Sequence, residues 1–128
     1  MRITNEADYA LRIMAAIASG ESSIDAKTIS EQSNIPYRFT LKILRKIVSA
    51  GYLRSRRGVN GGYELAVPAS EITLKDIIEV IDGNIAINRC IGNDQCPNSP
   101  VCKVREHMAN VSEMIAEELN KVTFSDLV

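Results

Sequence analysis

The stretch PYRFTLKILRKIVSAGYLRSRRGVNGGYELAV, residues 36–67, constrains the fold more than any other part of the chain. It opens on Pro36, which suits the first position of a helix because its ring presets φ and its missing N–H is not needed there. Phe39, Ile43 and Ile47, with the adjoining Leu44 and Val48, recur at helical spacing and form the expected buried side. Gly51 ends this helix. Short strand-like runs follow at Leu53 and at Tyr63, Leu65 and Val67, and Asn60, Gly61 and Gly62 supply the freedom a hairpin turn needs.

Upstream, NEADYALRIMAAIASG places Ala7, Ala10, Leu11, Met14, Ile17 and Ala18 on one side of a first helix, capped by Thr4 or Asn5 and stopped by Gly20. A shorter helix starts at Asp25, anchored by Ile29 and broken at Asn34. Two helices across a short break, the second leading into a hairpin, form the pattern of a winged helix-turn-helix. Downstream, Ser70 or Thr73 caps LKDIIEVIDG, whose Leu74, Ile77, Ile78 and Ile81 face the core before Gly83. The expected class is mainly α with a small β-hairpin wing.

The formal net charge of −1 hides a division. Residues 1–64 carry ten Lys and Arg against six Asp and Glu, whereas residues 65–128 carry five against ten. Arg38, Lys42, Arg45, Lys46, Arg54, Arg56 and Arg57 follow one another with no acid between them. A basic run can be merely a solvated face. Here it spans the second helix and the wing of a helix-turn-helix, where one element enters a major groove and the other reaches backbone or minor groove. Double-stranded DNA is therefore the expected partner, with Tyr37, Arg38, Thr40, Lys42 and Arg45 on the helix and Arg54, Arg56, Arg57, Asn60 and Gly61 on the wing.

The cysteines all lie in RCIGNDQCPNSPVCKV: Cys90, Cys96 and Cys102, with five residues between each one and the next. The sequence opens on no charged leader and apolar run, and no apolar stretch approaches membrane-spanning length, so the expected compartment is the cytoplasm, away from membranes. A reducing compartment and an odd count both argue against structural disulfides. Three soft thiolates make a partly filled four-coordinate set for iron in a cluster or for zinc. A zinc-stabilised regulator and a metal-free thiol switch stand as alternatives. A nucleophilic enzyme fits poorly, because His107 is the only histidine and no carboxylate is evidently paired with it.

From Lys103 the pattern is helical again, with Val104, Met108, Val111, Ile115, Leu119 and Val122 forming a narrow apolar seam flanked by Glu106, Glu113, Glu117 and Glu118. A seam of this width suits a partner helix, so a homodimer is expected. The chain then divides into a DNA-binding region, 1–83, a cysteine-containing loop, 84–102, and a dimerisation helix with its tail, 103–128.

With MRITNEADYAL, RRGVNGGY, the cysteine segment and the tail VTFSDLV placed, the whole chain resembles the Rrf2 family of bacterial transcriptional regulators, which includes IscR-like and NsrR-like iron-sulfur proteins. The resemblance implies a homodimer on palindromic or near-palindromic DNA and an iron-sulfur cluster on Cys90, Cys96 and Cys102. It further implies sensing of redox state, nitric oxide, oxygen or iron-sulfur supply. Likeness to the NsrR branch draws Asp8 in as fourth ligand across the dimer, and with it a [4Fe-4S] cluster in preference to [2Fe-2S]. Read from its own position, Asp8 is an acid in the first turn of a helix. The IscR pattern places a histidine three residues after the last cysteine. Arg105 stands there in this chain, and a guanidinium is a poor ligand. His107, next to Met108 of the seam, reads as an interface residue.

Overall fold

A computed structural model of the protein describes residues 2–88 and 102–128. Three helices come first: α1 (Asn5–Ala18), α2 (Ala26–Ser33) and α3 (Tyr37–Ser49). Strands β1 (Leu53–Arg56) and β2 (Gly62–Leu65) form an antiparallel hairpin, followed by α4 (Leu74–Asp82), α5 (Lys103–Asn120) and a closing 3-10 turn, Phe124–Leu127. This is the winged helix-turn-helix with a long C-terminal helix expected from the sequence.

The helix ends follow local chemistry. The Thr4 hydroxyl accepts from the Ala7 amide at 3.0 Å, and Asp25 caps α2 by accepting from the Thr28 amide and hydroxyl. Asn34 ends α2 in the left-handed region at φ 55°, a conformation asparagine tolerates better than most side chains. Thr73 and Asp76 form a reciprocal capping box on α4.

The α3 face differs from expectation by one position. Thr40 is fully buried beside Ile43, Leu44 and Ile47, while Phe39 is 39% exposed. Pro36 also sits outside α3, as its N-cap. A hydroxyl normally resists burial, but Thr40 Oγ1 donates back to the Pro36 carbonyl at 3.2 Å and is satisfied within its own turn. Phe39 instead meets the Tyr9 ring, with centroids 6.4 Å apart. Thr40, expected at the DNA-facing start of this helix, is thus turned into the core.

In the hairpin, Leu53 pairs with Leu65, Arg54 with Glu64, Ser55 with Tyr63 and Arg56 with Gly62. Its second strand is bolted to the α1–α2 connection: the Tyr63 amide donates to the Ile24 carbonyl at 2.8 Å, and the Ile24 amide returns a 3.0 Å bond. Gly62 lies against this bridge, and a Cβ there would fall 2.4 Å from the Ile24 carbonyl oxygen. Only glycine permits that approach.

One core joins all of this. Ile13, Met14, Ile29, Ile43, Leu44, Ile47, Leu53, Ile72 and Ile77 are buried together, and Phe124 from the last turn is fully enclosed with them. The return of the tail is held by backbone bonds from Leu74 to Val122 and from Phe124 to Ile72, each 3.0 Å.

Candidate nucleic-acid interface and cysteine segment

Helix α3 turns Ile43, Leu44 and Ile47 into the core, and this leaves Arg38, Lys42 and Arg45 exposed. Tyr37 is half exposed at its start, and the Arg38 guanidinium stacks 4.8 Å over the Phe39 ring. Arg38 and Arg45 have no ion-pair partner among the described residues. Lys42 is different: it lies 3.8 Å from the Glu6 carboxylate, which also accepts from Lys46 at 2.7 Å. Sequence reading missed Glu6, because nothing local marks an acid in one helix as the counter-ion of another helix.

On the wing, Arg54, Arg56, Arg57 and Asn60 are all exposed, with Gly61 partly covered in the turn, where its amide donates to the Gly58 carbonyl at 3.0 Å. Arg54 and Arg56 both pair with Glu64, at 2.8 and 2.6 Å. The hydrogen bond from Arg54, and with it that from Arg56, holds the Glu64 carboxyl below its ordinary range. Arg57 has no acid partner among the described residues. An array of fixed positive charge on a helix and an adjoining hairpin can bind a polyanion through its phosphates and place side chains against base edges.

Asp8 stands in the first turn of α1, more than half exposed, and pairs with Arg12 at 3.4 Å. Arg12 in turn stacks over the Tyr9 ring at 5.0 Å and donates to the Ser33 carbonyl at 3.1 Å. Cys102 is the N-cap residue of α5, half-buried and in no disulfide. Its side chain makes no cap hydrogen bond, and its position is at a helix end where backbone amides favour negative charge. Cys90 and Cys96 lie outside the described residues. Among the described residues, no group of three His, Cys, Asp or Glu side chains is gathered for a metal.

Two further contacts escape sequence reading. The Ile87 amide donates to Ser112 Oγ at 3.0 Å, and Ser112, buried on α5, donates to the Met108 carbonyl at 2.8 Å. This staples the segment entering the cysteine loop onto α5. The Thr4 amide and hydroxyl both donate to Asp82, at 3.2 and 2.5 Å, and tie the head of α1 to the end of α4. Beside that tie runs a cavity of about 440 Å³, lined largely by Ile3, Ile78, Ile85, Ile87, Ile115 and Leu119.

The seam residues of α5 divide. Met108, Ile115 and Leu119 are half-buried within the chain, whereas Val104 and Val111 are exposed, as is Met114. His107 is exposed. No described helix is long and apolar enough to cross a membrane.

Comparison with known proteins agrees with this architecture along the whole chain. Residues 3–128 match the family described as Rrf2, iron-dependent transcriptional regulator. The chain is 31% identical over 130 residues to the HTH-type transcriptional regulator IscR of Serratia proteamaculans, covering 100% of this chain and 79% of that protein. It is 34% identical over 131 residues to protein aau3 of Rhizobium meliloti, covering 100% and 85%. The structure of CymR, the global cysteine regulator of B. subtilis, superposes with a TM-score of 0.80 at 29% identity, covering 99% of this chain and 95% of that one. The chain belongs to the Rrf2 family of winged helix-turn-helix transcriptional regulators.

Proposed function

We propose that this DNA-binding regulator works as a homodimer whose grip on two half-sites is set by an iron-sulfur cluster on Cys90, Cys96 and Cys102, with Asp8 completing the ligand set across the dimer. The observation that carries the DNA-reading part is the exposed, acid-free trio Arg38, Arg45 and Arg57 on recognition helix and wing. Tyr37 and Arg38 at the start of α3 read base edges, and the remaining basic side chains hold phosphates.

The donor chemistry fits a cluster: three thiolates are soft anionic ligands, and Cys102 is unbridged, half-buried and the N-cap residue of α5. When bound, the cluster supplies reactivity toward a small redox signal such as nitric oxide or oxygen. The chain's own residues relay the consequence. Ser112 fastens Ile87 to α5, so a rearrangement of the cysteine loop bears on the helix that presents Val104, Val111 and Met114 for dimerisation. A dimer held in a different geometry spans two half-sites unequally well, which is a population shift between binding-competent states.

The test is anaerobic reconstitution with iron, sulfide and reductant, followed by duplex selection from a random library with loaded and unloaded protein. Iron-sulfur absorption lost in the Cys90→Ala, Cys96→Ala and Cys102→Ala variants, with a motif enriched in one state over the other, supports the reading. Binding of one zinc per chain without iron-sulfur absorption replaces it by a zinc-stabilised regulator.

A further inference from the structure

The hairpin register puts Arg54 directly across from Glu64, and Arg56, two residues along β1, falls on the same face. Both guanidiniums donate through Nε to one atom, Glu64 Oε1, at 2.8 and 2.6 Å. An arginine has five N–H donors. Committing Nε to the carboxylate leaves the Nη hydrogens of both side chains uncommitted. The Glu64 side chain is only 20% exposed, whereas those of Arg54 and Arg56 are 59% and 63% exposed. The acid is therefore the inner member of the cluster and the two bases are its outer surface. The strand beneath them is pinned to the α1–α2 connection, because Tyr63, next to Glu64, exchanges backbone hydrogen bonds with Ile24, and Gly62 lies so close to Ile24 that no Cβ would fit.

Charge and geometry give opposite expectations for this acid. By charge alone, a carboxylate beside two phosphate-binding arginines weakens attraction to DNA. By geometry, it removes beforehand the rotamer freedom that two long side chains would otherwise lose on binding. The depressed Glu64 carboxyl keeps its charge further toward acid pH than an ordinary carboxylate does.

We propose that Glu64 is a positioning residue of the wing: it holds Arg54 and Arg56 as a paired clamp whose outward Nη edges take a DNA phosphate. The inference rests on the reading of the wing as a duplex-DNA contact. It differs from that reading by assigning an acid a favourable role in polyanion binding.

The experiment measures affinity of the full-length protein for a labelled mixed-sequence duplex across a salt series, comparing wild type, Glu64→Ala, Glu64→Gln and both changes in an Arg54→Ala/Arg56→Ala background. The clamp predicts that Glu64→Ala weakens binding by about tenfold although it removes a negative charge. Glu64→Gln, which loses the same charge but keeps the acceptor oxygen, lies closer to wild type. Without the two arginines, Glu64→Ala gives no weakening. Binding by Glu64→Ala equal to or tighter than wild type overturns the proposal, as does a weakening that persists in the arginine-free background, since that marks a damaged hairpin. Absence of salt-dependent binding by wild type overturns the DNA reading itself and the clamp with it.

Discussion

The Glu6 carboxylate accepts a 2.7 Å hydrogen bond from the Lys46 ammonium, joining the first turn of α1 to the last turn of α3, with Lys42 3.8 Å away on the same acid. Two cations of the recognition helix are thus partly neutralised within the fold. Arg38 and Arg45 carry the helix's uncompensated charge.

Glu6→Gln releases both lysines. Affinity for non-cognate duplex should rise, and the slope of log affinity against log salt should steepen by about one to two phosphate equivalents. Folding stability should fall by no more than about 1 kcal/mol, the usual worth of a solvent-accessible pair. Anisotropy titrations over a salt series check the first effect and urea melts the second. An unchanged slope would show that neither lysine lies near the phosphates.

Phe124 is fully buried in the core that joins α1 to α4, although it follows α5 in the chain. Phe124→Ala should cost about 3–5 kcal/mol by the loss of transfer free energy and the cavity left behind. Urea denaturation of the full chain measures it. A loss below about 1 kcal/mol would mean that the tail packs only loosely.

Ser112→Ala removes the acceptor for the Ile87 amide. A partly buried donor left without a partner costs about 1–3 kcal/mol. The local consequence should exceed the global one, so amide exchange at Ile87 should accelerate more than exchange in α1. Equal acceleration throughout would place the effect in global stability instead.

Val111 is 40% exposed on α5, so Val111→Lys should leave the fold of the single chain intact while disrupting a dimer built on this helix. Sedimentation at micromolar concentration should show the wild type as a dimer and the variant shifted toward monomer, with weaker binding to a two-half-site duplex. A monomeric wild type would remove the dimer proposal.

Local signals carried much of this fold. Thr4, Asp25 and Thr73 mark helix starts, Asn34 and Gly83 mark ends, and Gly61 and Gly62 permit the wing, because caps and turns depend on a few neighbouring residues. Apolar periodicity placed the helices but set the buried face of α3 off by one position, at Phe39 in place of Thr40. Stripes that share Ile43, Leu44 and Ile47 can begin at Phe39 or Thr40, and the choice depended on the Tyr9 ring and the Pro36 carbonyl. The basic residues of the candidate interface were equally legible. Their partners were not.

The chain by itself determined the order of elements, the basic recognition helix and wing, and the grouping of the three cysteines. Tertiary structure alone decided that Lys46 belongs to Glu6, that Ile87 rests on Ser112, and that Phe124 closes the core. The physical reason is range: caps and periodicity act across a turn or two of backbone. Ion pairs, buried donors and core contacts are selected by which distant surfaces the packed fold brings together.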